Sequence, residues 1–275
     1  MRRLAPALLA ALLLVLAFSC AESRPSGRLF AFRYGISTNS ESAIFAGASG
    51  DVELPFHWLF YLWEEEGRLI LIDCGFDDPA KAEEYGIWTA DPLALLKKAG
   101  FSPSEIDDVV ITHAHFDHIG LLSSFPRARV WIQREALARA ENDELAPDLG
   151  AFLRGNRRLR VFSGSIQVSR RLSAEYVGGH TAGSSVVWIS RGGARLLLPG
   201  DEAYYVANVL RGLPSGSTGD PKRNAAFLLR TARMRSLRVG GVFTFHDPGI
   251  LPEGGPSWAV VWPVAKAVKP ATKRP

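Results

Sequence analysis

Cysteine is nearly missing from this chain: among 275 residues only Cys20 and Cys74 carry a thiol. That excludes a multi-bridge disulfide scaffold and a thiolate-rich structural zinc site. A Cys20–Cys74 bridge would tie a flexible end to a strand end, so the cysteine count favours an acylated Cys20 that leaves Cys74 as the one free thiol. Internal repeats and low-complexity linkers are also lacking, and residues 28–262 read as one large α/β domain. A strong charge of one sign is missing as well. The formal net charge is +4, and Lys266, Lys269, Lys273 and Arg274 place four cations in a solvated tail, 263–275. The remaining body shows no clustering of cations with aromatic rings, which argues against a nucleic-acid partner.

Long apolar runs are scarce. The one that stands out, Ala7–Phe18, falls short of the roughly 20 residues of a membrane span. Arg2 and Arg3 precede it and Ser19, Cys20 and Ala21 follow it, so residues 1–20 read as an export signal. Leu16-Ala-Phe-Ser-Cys20 resembles a bacterial lipobox, which would make Cys20 a lipidated first residue and the only membrane contact. Ordinary cleavage after Ala21 is the rival. Residues 21–27 would then be a short polar tether, and the protein would be periplasmic, lipid-anchored or secreted.

Histidine is also rare, six in all, yet three fall within Thr112-His-Ala-His-Phe-Asp-His-Ile-Gly120. Imidazole nitrogen and carboxylate oxygen are good ligands for zinc and neighbouring divalent ions. The preceding Asp107–Thr112 reads as a short buried strand. A strand sends alternate side chains to one side, so His113 and His115 can point together. Once the chain turns, Asp117 and His118 can face a second nearby point, which suggests two metals.

Strand-like stretches occur at Arg28–Tyr34, Phe56–Trp63, Leu69–Asp73 and Asp108–Ile111. A second group comprises Ala128–Ile132, Arg158–Phe162, Ile166–Val168, Ser173–Val177, Ser185–Ile189 and Arg195–Pro199. Val239–Thr244 reads as a last core strand and Trp258–Trp262 as an edge strand. Asp91, Pro92 and Gly100 bracket one helix; Asp220 and Pro221 open another with Ala225, Leu228, Leu229 and Ala232 on one face. Glu135–Glu141 and Pro147–Leu153 read as short helices. The pattern suits two sheets packed face to face with helices outside.

Three further candidate ligands follow strands: His180 in Gly178-Gly-His-Thr-Ala-Gly-Ser184, Asp201 after Leu196-Leu-Leu-Pro-Gly, and His246 before Asp247-Pro-Gly249. His57, inside an aromatic stretch, reads as packing or pocket lining. His-Ala-His-Phe-Asp-His, Gly-His-Thr-Ala-Gly, Gly-Asp and a final His together resemble the metallo-β-lactamase fold hydrolases. Leu71-Ile-Asp-Cys-Gly-Phe76 is similar to their first motif, with Cys74 where Thr is commoner.

The resemblance implies an αββα four-layer sandwich with two mixed sheets and the metals at one sheet edge. It also implies that His113, His115 and His180 bind one metal, that Asp117, His118 and His246 bind the other, and that Asp201 bridges them. Asp73 would orient the ligand loop without touching metal. Redox diiron members carry Glu where His115 stands. True β-lactamases have Cys where Asp201 stands or lack a bridging carboxylate, and the glutathione-binding region of hydroxyacylglutathione hydrolases has no counterpart here. Asp201-Glu-Ala-Tyr204, with His-Asp at the last ligand, resembles the N-acyl homoserine lactone lactonases.

That likeness implies two divalent ions, zinc first and cobalt, manganese or iron as alternatives, and a small lactone opened by a hydroxide that the ions share. Tyr204 would donate to the developing oxyanion and Asp117 would pass a proton to the leaving alkoxide; Tyr205 could serve in place of Tyr204. Cys74 reads as a packed thiol. Phe56–Trp63 and Ala138–Asn156 would cover an acyl chain. Another ester, a thioester or a β-lactam is the alternative substrate, and a non-catalytic binding protein is the alternative class.

Overall fold

The computed structural model describes residues 27–49, 52–141, 147–191, 194–234, 237 and 241–262. The expected leader, most of the tether and the basic tail lie outside these residues. Two long strands, β1 (Arg28–Ser40) and β2 (Glu53–Glu65), form an antiparallel pair from Arg28↔Glu64 to Ser40↔Glu53. Both run well beyond the apolar stretches that mark them in sequence. The register shifts between Arg33 and Gly35, so Tyr34 is an extra residue in β1, a bulge that re-aims its side chain.

Around this pair the first sheet grows in both directions. β3 (Arg68–Ile72) pairs antiparallel with β2; β5 (Asp108–Val110), β6 (Arg129–Gln133) and β7 (Leu159–Phe162) then follow in parallel. β4 (Trp88–Thr89) and the edge strand β12 (Trp258–Trp262) both pair with β1. The second sheet, β8 (Ser165–Gln167), β9 (Leu172–Tyr176), β10 (Ser185–Arg191) and β11 (Ala194–Leu198), is antiparallel throughout.

Strand alternation divides the core among the layers. Leu59, Tyr61 and Trp63 of β2 pack with Leu172, Ala174, Val187 and Leu196 of the second sheet, filling the space between sheets. Phe56, Trp58, Phe60 and Leu62 face the other way, with the outer helical layer that includes Leu95, Leu96 and Ala136. Val186, Trp188 and Leu197 lie against Phe227 and Leu228 of the helix Pro221–Ala232. Helix, sheet, sheet, helix is the αββα order.

Capping follows the sequence. The Asp91 carboxylate accepts from Leu93 N (2.8 Å) and Ala94 N (3.2 Å), and that of Asp220 accepts from Lys222 N and Arg223 N (both 3.1 Å). Two expectations need correction. The helix after Asp220 buries Asn224, Phe227, Leu228 and Thr231, whereas Leu229 is exposed, because Asn224 is drawn inward by polar partners. Of the expected strand Val239–Thr244, residues 239–240 lie outside the described ones, and within 241–244 there is no regular strand but a single parallel bridge from Val242 to Leu197. Beyond it, Phe245 O and His246 O accept from Leu59 N (3.0 Å) and His57 N (3.1 Å). The segment therefore stitches the second sheet to β2 and delivers His246 to the shared edge.

Candidate metal centre

Each candidate ligand leaves the end of a strand or extended segment. β5 runs into His113 and His115, and a short helix, Phe116–Ile119, then turns Asp117 and His118 back toward them. The turn between β9 and β10 presents His180. β11 ends at a 3-10 turn, Gly200–Glu202, that carries Asp201. All seven residues meet in two groups: His113, His115, His180 and Asp201, and Asp117, His118, His246 and Asp201. Within each group one donor atom per residue lies within 4.8 Å of the others.

Hydrogen bonds behind the rings settle which nitrogen faces inward. Carbonyl oxygens only accept, so His180 Nδ1 donates to Ser217 O (2.7 Å) and His246 Nδ1 donates to His57 O (2.8 Å). His118 Nδ1 donates to Asp73 Oδ2 (2.7 Å). Thr112 gives its hydroxyl proton to the same oxygen (2.7 Å), leaving a lone pair for His113 Nδ1 at 3.2 Å. These four rings thus turn Nε2 toward the centre. His115 is the exception and offers Nδ1, 2.9 Å from His113 Nε2 and 3.1 Å from His180 Nε2.

Acceptors therefore face acceptors. At most one proton can lie among the three nitrogens of the first group. In the second, His118 Nε2 stands 3.0 Å from Asp117 Oδ2 and 3.2 Å from Asp201 Oδ1, and His246 Nε2 is 3.2 Å from that Asp201 oxygen. The other Asp201 oxygen faces His113 Nε2 (3.6 Å) and His180 Nε2 (3.5 Å). Converging lone pairs in a buried site repel unless protons or metal cations lie between them. The donor set fits two divalent ions sharing one carboxylate, and its nitrogen and oxygen composition admits zinc, cobalt, manganese or iron.

Electrostatics agree with this fit. Burial, then the neighbouring His118, holds His113 well below the ordinary imidazole range; burial, then His180, lowers His115 to about 4. Both rings stay neutral, as ligation requires. Burial disfavours charge on His118, but Asp117, Asp201 and Asp73 outweigh it and raise that ring well above its usual value. Burial likewise opposes ionisation of Asp201, yet His118, His246 and His113 hold it well below the carboxylate range.

Above the two groups opens a cavity of about 970 Å³, lined by Phe56, Trp58, Phe116, Arg139, Leu149 and Tyr204 among others. The two stretches expected to cover a substrate thus each contribute, although alternation turns His57 away from the cavity. Tyr204, not Tyr205, lies on its wall, since the Tyr205 hydroxyl bonds the Pro55 carbonyl. Cys74 is a buried thiol donating to His118 O (3.3 Å), and burial raises its pKa. Sequence reasoning missed Thr112, Tyr34, whose hydroxyl donates to Asp117 O (3.2 Å), and the buried Glu202. For Glu202 a signal existed: a second acid immediately after Asp201 at the end of an apolar strand.

Comparison with known proteins gives the same picture. The model of the metallo-beta-lactamase superfamily matches residues 56–246. An N-acyl homoserine lactonase from a Bacillus species is 25% identical over 213 residues, covering 71% of this chain and 82% of the relative. The lactonase AiiA of Bacillus thuringiensis subsp. kurstaki is 24% identical over 211 residues, covering 69% and 80%. Among solved structures, an N-acyl homoserine lactone hydrolase with N-hexanoyl-L-homoserine at its catalytic metal centre superposes with a TM-score of 0.68 at 20% identity, covering 82% of this chain and 94% of its own.

Proposed function

The chain belongs to the metallo-beta-lactamase superfamily, and from that premise we propose that it opens the ester ring of lactones, with N-acyl homoserine lactones as the substrate class. The observation carrying this reading is Tyr204, placed just past the shared Asp201 on the wall of the cavity that holds both ligand groups. Relatives named as N-acyl homoserine lactonases support it. Held by His113, His115 and His180, by Asp117, His118 and His246, and by the shared Asp201, two divalent ions would supply a Lewis acid and a water acidic enough to attack at neutral pH.

The remaining work falls to side chains. Burial, then the charge of Asp201, keeps the Tyr204 phenol protonated far above neutral pH. It is thus a standing donor for the oxyanion that develops on the ester carbonyl. Burial resists charge on Asp117, but His118 outweighs it and holds the carboxylate ionised, ready to take a proton and pass it to the leaving alkoxide. Phe56, Trp58 and Phe116 offer an apolar wall to an acyl chain.

A substrate panel on metal-loaded protein tests the reading, with acyl homoserine lactones, other lactones, a thioester and a β-lactam. Turnover confined to lactones is the expected result; turnover of the β-lactam alone would replace the reading. Asp201→Ala is expected to abolish lactone hydrolysis while the protein still melts cooperatively, and unchanged turnover would sink the two-metal site. We also propose export with Cys20 as a lipid anchor. Labelled palmitate should enter the wild-type chain in a bacterial host but not Cys20→Ser, whereas a wild-type chain that takes up no label would favour cleavage without lipidation.

A further inference from the structure

The turn Gly200–Glu202 carries two adjacent carboxylates that point to different places. Asp201 faces the histidines. Glu202, wholly buried, turns away from them and ends among donors from other segments. Its Oε1 accepts from the backbone N–H groups of Gly179 (2.8 Å) and His180 (3.0 Å). Its Oε2 accepts from the side-chain amide of Asn224 (2.8 Å), which also donates to Glu202 O (2.8 Å).

The same amide reaches further. Asn224 Oδ1 accepts from Ser215 N (3.0 Å), two residues before the Ser217 carbonyl that receives His180 Nδ1. On the far side of the peptide, His180 O accepts from Gly219 N (2.9 Å), and Gly179 O accepts from Asp220 N (2.8 Å) and the Thr218 hydroxyl (2.7 Å). The packing leaves no slack: a Cβ on Gly179 would lie 2.3 Å from Glu202 Oε2 and 2.9 Å from Asn224 Cα. Packing alone does not call for a buried carboxylate at this point, since an apolar side chain avoids the cost of burying charge. Its use is to gather several N–H dipoles onto one point, with charge-assisted bonds stronger than neutral ones.

We infer that Glu202, together with Asn224, is a positioning residue that fixes both the backbone and the ring of His180 and so completes the His113, His115, His180 and Asp201 group. The backbone is fixed directly, through the two N–H groups. The ring is fixed through Asn224 and Ser215, which anchor the loop that supplies the Ser217 carbonyl. The inference rests on the metal-holding half of the proposed function and not on the substrate.

Cobalt(II) titration against a competing chelator, followed in the visible spectrum, tests it without any turnover measurement. Glu202→Gln keeps the shape and an acceptor for the two N–H groups but turns a donor toward Asn224. The expected result is a near wild-type melt with one of two binding steps weakened about 10–100-fold. That step should be the one His180→Ala removes, its visible band should change, and the other step should be unaltered. Asn224→Ala should weaken the same step, and it carries the test if Glu202→Gln does not fold. Wild-type affinity at both steps in a folded variant would overturn the inference. So would equal weakening of both steps with a lowered melt, the mark of a merely structural role. A wild-type protein that binds two cobalt ions yet opens no lactone would refute the substrate reading and leave this inference standing.

Discussion

Tyr204 and Tyr205 are neighbours in sequence with opposite surroundings. The Tyr204 ring lies 5.3 Å from that of His246 and 5.9 Å from that of His180, whereas the Tyr205 hydroxyl is tied to the Pro55 carbonyl. Removing one oxyanion donor costs roughly 10²–10³ in kcat. Tyr204→Phe is therefore expected to lower kcat on an acyl homoserine lactone about 10²-fold with little change in KM, while Tyr205→Phe leaves kcat near wild type. Equal losses in the two variants would remove Tyr204 from its assigned role. The seven candidate ligands were legible because residue type itself is the signal: imidazoles and carboxylates at strand ends are expensive unless they bind something. Thr112, Tyr34 and Glu202 were not, because their roles exist only through contacts across 39, 83 and 22–23 positions of sequence.

Elements were legible where pattern and local chemistry agree. β5, β11 and the helix capped by Asp91 lie where apolar runs and caps place them. The second half of β1, Gly35-Ile-Ser-Thr-Asn-Ser40, has no apolar alternation and becomes strand by pairing with Glu53–Trp58 on one side and, at Gly35 and Ile36, with β4 on the other. Tertiary contact also decides the turn that carries His180. Gly183 lies against the helix Arg134–Glu141, and a Cβ there would sit 2.2 Å from Ala136 N and 2.5 Å from Ala136 Cα. Neither backbone can yield without moving its element. Gly183→Ala is expected to destabilise the protein by roughly 1–3 kcal/mol, the ordinary range for overpacking. At about 2–4 °C of melting temperature per kcal/mol for a domain of this size, calorimetry resolves the effect, and an unchanged melt would show that the contact has slack.

Across the whole molecule, residues 113–118, 180, 201 and 246 come from both sheets, so ligation joins the two halves of the sandwich. An ion present at about 1,000 times its dissociation constant adds about 4 kcal/mol to folding, and chelation should remove that increment. The metal-free protein should also show a particular pH dependence. His113 and His115 titrate below their unfolded value of 6.5 in the folded state, His115 at about 4, with burial the largest cause. Between pH 6.5 and 4 the unfolded chain therefore binds more protons, and stability falls as pH falls. Asp73 and Glu202, raised by burial, have the opposite slope and make that limb shallower. For His118 burial is outweighed by Asp117, Asp201 and Asp73, so its folded value is raised. Its contribution is complete below pH 6.5 and is lost as pH rises through the folded value. The chelated protein should melt highest near pH 6.5 and lower on either side. With metal restored, the alkaline limb should flatten, because an ion takes the place of the proton on His118 Nε2. Melts from pH 4 to 9 with and without chelator measure both limbs. A chelated protein whose melting temperature climbs steadily to pH 9 would show that the three carboxylates around His118 do not hold its proton.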